Sequence, residues 1–546
     1  MNINELTLEQ KIGQMVMCGF NGYVVDENIT TLIEKYHVGG IIYFRRNLEN
    51  KEQTCKLSLD LQLTSKKQTD IPLFVCIDQE GGMVARIDWD DVTLIPGNMA
   101  VGATRDAQLA YDAARICGEE LLKMGINMNF APSVDINNNA NNPVIGVRSY
   151  GERPDLVTQL GNAQIRGLQD ANVSATAKHF PGHGDTAVDT HYGLASVAHD
   201  EQRLTNLELV PFVQAISAGV DLIMTAHVMF PAFEPEQRPA TVSRRVLTDL
   251  LRNRLQFQGI IVTDCLEMKA ISDVYGVAEG AVMSVEAGAD IVLISHRFAE
   301  QTAAIEALVA AARAGRISEA QIDASVERIL KLKQNRQMDV LSEITADFAA
   351  QFATVNAKAV VEQICEKSIT LVKDDGLLPL QSELKTLVIW PEVRERTEVD
   401  EPIVQKYTTA TALEPYIGDV TEYRIGTYPD ADEVAATVKF AADYEQIVIM
   451  TYNAVSQLHE GQVEIVKQLV DNHERVIVAS TRNPYDLNQF DAVKTYLCCY
   501  ENRPASMTAL AEVLVGRKQA EGKLPVTINA DYPYGFGLND SKQPIA

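Results

Sequence analysis

The sequence has no excess of positive charge. Its 48 lysines and arginines stand against 74 aspartates and glutamates, a formal net charge of −26. That balance argues against a nucleic-acid surface and against docking on anionic lipid. No apolar run reaches the roughly 20 residues that cross a bilayer. The opening Met1-Asn2-Ile3-Asn4-Glu5-Leu6 carries neither the basic region nor the apolar stretch of a secretory signal. The eight cysteines (Cys18, Cys55, Cys76, Cys117, Cys265, Cys365, Cys498 and Cys499) include no C-x-x-C pair and no zinc spacing. They read as reduced, mostly buried thiols of a cytoplasmic protein. There is no internal repeat, no low-complexity tract and no glycine-rich phosphate loop. What is present is ordinary for a globular protein: 546 residues, 46% hydrophobic and 22% charged.

Over the first 335 residues, short apolar runs alternate with amphipathic stretches. Eight runs are expected as strands: 12–20, 38–44, 73–78, 126–132, 173–179, 222–228, 259–264 and 290–295. Most are continuous rather than alternating in polarity, as in strands buried on both faces. Eight βα units in this length predict a (β/α)8 barrel. Run 12–20 reads equally as an extension of the helix before it. A helical linker is expected over 336–368. From 369 to 546 the α/β rhythm restarts, with strands at 384–390, 446–452, 475–480 and 492–500. Helices 432–444, 461–471 and 504–515 lie among them. This pattern predicts an α/β sandwich built on an open, doubly wound sheet.

The most informative stretch runs from Lys178 to His191, Lys-His-Phe-Pro-Gly-His-Gly-Asp-Thr-Ala-Val-Asp-Thr-His. Pro181, Gly182 and Gly184 break regular structure. The loop gathers three histidines, a lysine and two aspartates, groups that can move protons near neutral pH. Asp189, two residues before His191, can accept the imidazole Nδ1–H, fix its tautomer and raise its basicity. No serine nucleophile accompanies the pair.

Barrel chemistry sits at the C-terminal ends of the strands. In chain order, the third run ends at Asp78 before Gln79-Glu80-Gly81-Gly82. The fourth is followed by Asp135 and an asparagine-rich loop to Arg148. The fifth ends at Lys178-His179, the sixth at His227 and the seventh at Asp264. Each residue has a plainer reading. Asp264 is either a nucleophile aimed into the barrel mouth or the N-cap of a helix starting at Leu266. Asp78 is either a hydroxyl ligand or a turn residue, and Arg148 either a fork for vicinal hydroxyls or a surface charge. Lys178 and His179 are either ligands or satisfied core groups. His227 reads as structural and His183 as loop-shaping. Gly182 and Gly184 are candidate hinges. A metal-dependent hydrolase would need its histidines to converge, and no H-x-H follows the first strand.

These motifs resemble family 3 glycoside hydrolases of the β-N-acetylglucosaminidase type. The resemblance rests on the 178–191 loop, Asp78-Gln79-Glu80-Gly81-Gly82, Asn142-Pro143-Val144-Ile145-Gly146, Arg148-Ser149-Tyr150-Gly151, Ile261-Val262-Thr263-Asp264 and Val38-Gly39-Gly40-Ile41-Ile42. It implies a retaining, exo-acting enzyme without a cofactor, acting on a small carbohydrate. Asp264 would be the nucleophile and His191 the acid/base, oriented by Asp189. Asp78, Arg148, Lys178 and His179 would hold the terminal sugar. The substrate would be a muropeptide-type or chitin-derived oligosaccharide ending in β-linked N-acetylglucosamine. Two positions depart from the pattern: Met83 stands where the family often has arginine, and Val147 where it often has aspartate. Alternatives are a phosphorylase giving the sugar 1-phosphate, a β-glucosidase or β-xylosidase, and a non-catalytic sugar-binding protein. The last would not need Asp264 and the Asp189–His191 pair together.

Overall fold

The computed structural model describes residues 3–186, 193–338, 352–394, 405–453 and 457–538. Eight parallel strands close into a barrel: β1 Val16–Cys18, β2 Gly40–Tyr43, β3 Phe74–Ile77, β4 Met128–Asn129, β5 Ser174–Phe180, β6 Leu222–Thr225, β7 Ile260–Cys265 and β8 Ile291–Ile294. Each pairs with its sequence neighbours, and β1 closes on β8 with Val16 opposite Val292. Almost every strand residue is buried, which is why the runs are continuously apolar: the lumen takes one face and the outer helices the other. The first strand is shorter than expected. A helix, Leu8–Gln14, precedes it and is fixed by a capping box at Thr7 and Gln10.

The second domain is a six-stranded sheet covered on both faces. Its strands are β9 Thr370–Asp374, β10 Thr386–Glu392, β11 Val420–Gly426, β12 Gln446–Thr451, β13 Val476–Ser480 and β14 Thr495–Cys498, in the order β9-β14-β13-β12-β10-β11. Only the pairing of β9 with β14 is antiparallel. The period-2 geometry of a strand divides its residues between two cores. Leu387, Ile389, Ile447, Ile449 and Val478 pack with helices Ala431–Ala441 and Glu460–Asn472. Val388, Trp390, Val448, Met450 and Ile477 pack with helices Val355–Ser368 and Pro504–Leu514. Met99, Ala100 and Ala103 join the first of these cores. They lie on helix Asn98–Thr104 of the barrel domain, so the sheet is seated against the barrel. Among the described residues, no helix is long and apolar enough to cross a membrane, and all eight cysteines are free.

Candidate active site

A cavity of about 320 Å3 opens at the C-terminal mouth of the barrel, and Asp78, Glu80, Arg148, Lys178, His179, His183 and Asp264 are among its lining residues. Five candidates named above, Asp78, Arg148, Lys178, His179 and Asp264, therefore share one space. They come from the ends of β3, β5 and β7 and from the loop after β4. Asp189 and His191 lie outside the described residues.

The cations are organised by Glu80, a residue to which sequence reasoning gave no role. Arg148 Nε and Nη2 donate to its two carboxylate oxygens at 2.9 and 2.7 Å, while Nη1 donates to the Val144 carbonyl at 3.2 Å. Lys178 Nζ sits 2.7 Å from Glu80 Oε1 and donates to Asp78 Oδ1 at 2.8 Å. Glu80, Arg148 and Lys178 are all buried. Burial pushes the Glu80 carboxyl up, but Arg148 and Lys178 outweigh it and hold the group well below the usual carboxylate range. Burial likewise works against the Lys178 charge, and Asp78 and Glu80 reverse it, leaving the ammonium more strongly protonated than usual. The result is a fixed, charged array, with two cations and two carboxylates at the base of the cavity.

Asp135 organises the histidines. Its carboxylate takes the His179 ring Nδ1 at 2.7 Å, the His179 backbone N–H at 3.1 Å, and the His183 backbone N–H at 2.6 Å. Burial raises the Asp135 carboxyl, and the neighbouring His179 and His183 bring it below its ordinary value. His183 is itself buried beside His179, and its imidazole is pulled down to about 4. Its ring Nδ1 lies 2.9 Å from Thr186 Oγ1. Asn142 Nδ2 donates to the carbonyls of His183 and Gly184, both at 2.9 Å. The described stem of the loop is thus pinned. At Gly184 a Cβ would lie 1.6 Å from the Ile136 carbonyl oxygen, so glycine there permits close packing. His227 has its ring nitrogens 2.7 Å from Thr241 Oγ1 and 2.9 Å from the Cys265 carbonyl.

Asp264 does not cap a helix. The next helix starts at Lys269 with Met268 as its N-cap. Instead Asp264 lines the cavity, and one carboxylate oxygen accepts the Cys265 N–H at 2.7 Å. A half-buried carboxylate there, lining the same cavity as Arg148 and Lys178, can attack an electrophilic carbon. Among the described residues, Cys265, Glu267 and His296 are close enough to share a metal ion, their ligand atoms lying within 4.8 Å of one another. The Glu267 carboxylate already accepts the backbone N–H groups of His296 and Arg297 and the Arg297 side chain, at 2.6, 3.0 and 2.9 Å. Its role in this structure is to hold the loop after β8 against the end of β7.

This geometry occurs in a chain that matches one family over both domains. Residues 7–332 match the glycosyl hydrolase family 3 N-terminal domain and residues 369–542 its C-terminal domain. The chain belongs to glycoside hydrolase family 3. It is similar throughout to a family 3 beta-N-acetylglucosaminidase from Paenibacillus sp. str. FPU-7, with 50% identity, a TM-score of 0.93, and coverage of 96% of this chain and 99% of that one. It is 33% identical to the beta-hexosaminidase A of Pseudoalteromonas piscicida over 96% of this chain and 97% of the relative. It is 28% identical to a beta-N-acetylglucosaminidase/beta-glucosidase of Cellulomonas fimi, over 96% and 94% respectively. The two positions that depart from the family pattern both lie at the core around the second-domain sheet. Val147 is buried in the core around the second-domain sheet, and Met83 packs against the same core. A charged side chain at Val147 would have to desolvate.

Proposed function

We propose that this family 3 glycoside hydrolase is a retaining, exo-acting β-N-acetylglucosaminidase. Asp264 attacks the anomeric carbon of a terminal β-linked N-acetylglucosamine while His191, charged and oriented by Asp189, protonates the leaving oxygen. A glycosyl-enzyme forms on Asp264. Water, deprotonated by His191, then cleaves that ester and restores both groups. Asp78, Arg148, Lys178 and His179 hold the sugar, and Glu80 holds the cations. An imidazole replaces the second carboxyl of the usual retaining pair, and its ordinary pKa near 6.5 suits both proton transfers.

One observation carries this reading: Asp264 shares a single cavity with Asp78, Arg148, Lys178 and His179. The root of the histidine loop is at the same place, since His183 lines the cavity and bonds Thr186. Four residues separate Thr186 from His191, a span of at most about 17 Å when extended. The named activities of the Paenibacillus, Pseudoalteromonas and Cellulomonas relatives support the choice of sugar. The natural substrates we assign are muropeptide-type or chitin-derived oligosaccharides. The eight free thiols favour a reducing, cytoplasmic setting such as cell-wall fragment recycling.

The test compares the wild-type enzyme on aryl β-N-acetylglucosaminide, glucoside and xyloside. A kcat/KM at least tenfold higher on the N-acetylglucosaminide supports the assignment. Equal turnover of the glucoside would replace it with a broad β-glucosidase.

A further inference from the structure

Among the described residues, the second domain contributes none to the cavity lining, yet it grips the elements that carry the charged array. We propose that Arg503, in the second domain, is a positioning residue for the sugar site. It fixes the hairpin that bears Glu80, and through Glu80 it fixes Arg148 and Lys178. The inference rests on the reading that this array holds the sugar.

Glu80 sits on a two-stranded ribbon, Gln79–Gly81 against Val84–Ala85. Gly82 lies at its tip with φ +55°. Arg503 Nε and Nη2 both donate to the Gly82 carbonyl, at 3.1 and 2.7 Å. Its remaining nitrogen lies 3.7 Å from Asp88. Arg45 bridges Asp88 at 2.9 and 2.7 Å and donates to the Ala85 carbonyl at 3.1 Å, so the far strand of the ribbon is tied to the same cluster. Glu501, two residues before Arg503, accepts the Gly97 N–H at 2.8 Å and the Ser506 hydroxyl at 2.6 Å. A Cβ on Gly82 would come within 2.7 Å of Gly97 Cα and 3.2 Å of Glu501. Second-domain atoms therefore close on the tip from two sides.

The partner of Glu80 is held in the same way. Arg148 ends a short helix, Gly146–Arg148. The Asn483 side chain fills the space where a Gly146 Cβ would be, 2.5 Å away. Downstream of Arg148, Glu152 N–H donates to the Pro525 carbonyl at 3.0 Å. Upstream, Asn137 donates to the Tyr485 hydroxyl at 2.9 Å. Both halves of the bidentate Glu80–Arg148 pair are thus set by where the second domain sits. A displacement of about 1 Å between them would break the paired geometry, and shifts of that size can cost about 10^2-fold in activity. Arg503 touches neither substrate nor reacting atoms, so its effect should fall on binding.

The experiment measures KM, kcat, the competitive inhibition constant of the released sugar, and the thermal midpoint. It uses whichever aryl glycoside the wild-type enzyme cleaves best, so a failure of the substrate assignment changes the probe and not the comparison. Arg503→Leu is expected to raise KM and the inhibition constant about tenfold, with kcat changed less than threefold. Arg503→Lys keeps the charge and one donor and should fall between the two. Arg105→Leu is the control: Arg105 donates to the Leu524 carbonyl at 2.8 Å and stacks on Tyr534. It ties the same two domains together away from the hairpin, so it should lower the midpoint and leave KM alone. Unchanged KM and inhibition constant in Arg503→Leu, with only a lowered midpoint, would overturn the proposal. If Arg503→Leu does not fold, Arg503→Lys decides it: a raised KM supports the role, and wild-type constants overturn it.

Discussion

Glu80 and Arg148 meet fork to fork inside the protein, with Nε to Oε2 at 2.9 Å and Nη2 to Oε1 at 2.7 Å, and with Lys178 Nζ 2.7 Å from the same carboxylate. Removing one partner of a buried pair leaves uncompensated charge and costs about 3–5 kcal/mol. Glu80→Gln should therefore lose stability on that scale and raise KM at least tenfold, measured by denaturant titration and steady-state kinetics.

The same residues set a pH dependence. Glu80 is held below its ordinary value of 4.5 by Arg148 and Lys178 against the opposing effect of burial. Its contribution is complete above about pH 4.5 and is lost as pH falls below that, because the unfolded chain binds the proton first. His183 acts in a higher window. Burial beside His179 pulls its imidazole from 6.5 to about 4, so stability declines between those pH values as the unfolded chain takes up a proton the folded one refuses. Stability measured against pH should lose its lower slope in Glu80→Gln and its upper slope in His183→Asn.

His191→Ala should separate leaving groups. With a natural sugar leaving group the loss is expected at about 10^2–10^4-fold, the usual range for general acid–base catalysis. With a dinitrophenyl leaving group, glycosylation should stay near wild-type and hydrolysis of the glycosyl-enzyme become limiting, seen as a burst. Equal losses on both would remove His191 from the acid role.

Hydrolysis and phosphorolysis differ only in the acceptor for the second step. A neutral imidazole base repels phosphate less than a carboxylate would, so the choice rests on the product. With 10–100-fold excess phosphate over substrate, mass analysis should find free N-acetylglucosamine and no sugar 1-phosphate. A sugar 1-phosphate as the main product would make the enzyme a phosphorylase.

Cys265 adjoins Asp264, yet its thiol is pushed up to about 12, by burial first and by Glu267 second. Negligible thiolate forms at neutral pH. Iodoacetamide should leave activity unchanged over an hour at pH 7, and Cys265→Ser should retain turnover.

The barrel was legible because its strands are almost wholly buried and most of them read as continuous apolar runs. In the second domain, β9 and β11 were not anticipated. They are the edges of the sheet, and sequences such as Thr370-Leu371-Val372-Lys373-Asp374 and Val420-Thr421-Glu422-Tyr423-Arg424 expose polar side chains that dilute the pattern. Asp78, Lys178 and Asp264 could be chosen because each ends an apolar run. Glu80 and Asp135 could not, since their importance lies in partners far along the chain: Arg148 is 68 residues from Glu80, and His179 is 44 from Asp135. A carboxylate beside a Gly-Gly turn just past a barrel strand was the available signal for Glu80. The packing of Met83 and Val147 against the second-domain core likewise depends on tertiary contact alone.

In the proposed mechanism Asp264 carries the sugar during turnover. Reaction with a 5-fluoro N-acetylglucosaminyl fluoride slows the second step and traps any glycosyl-enzyme, and peptide mass spectrometry then locates the label. A nucleophilic Asp264 should give one ester-linked sugar per chain, on Asp264, absent in Asp264→Asn. A label on another residue, or turnover that gives the α-anomer first with no trapped species, would contradict it.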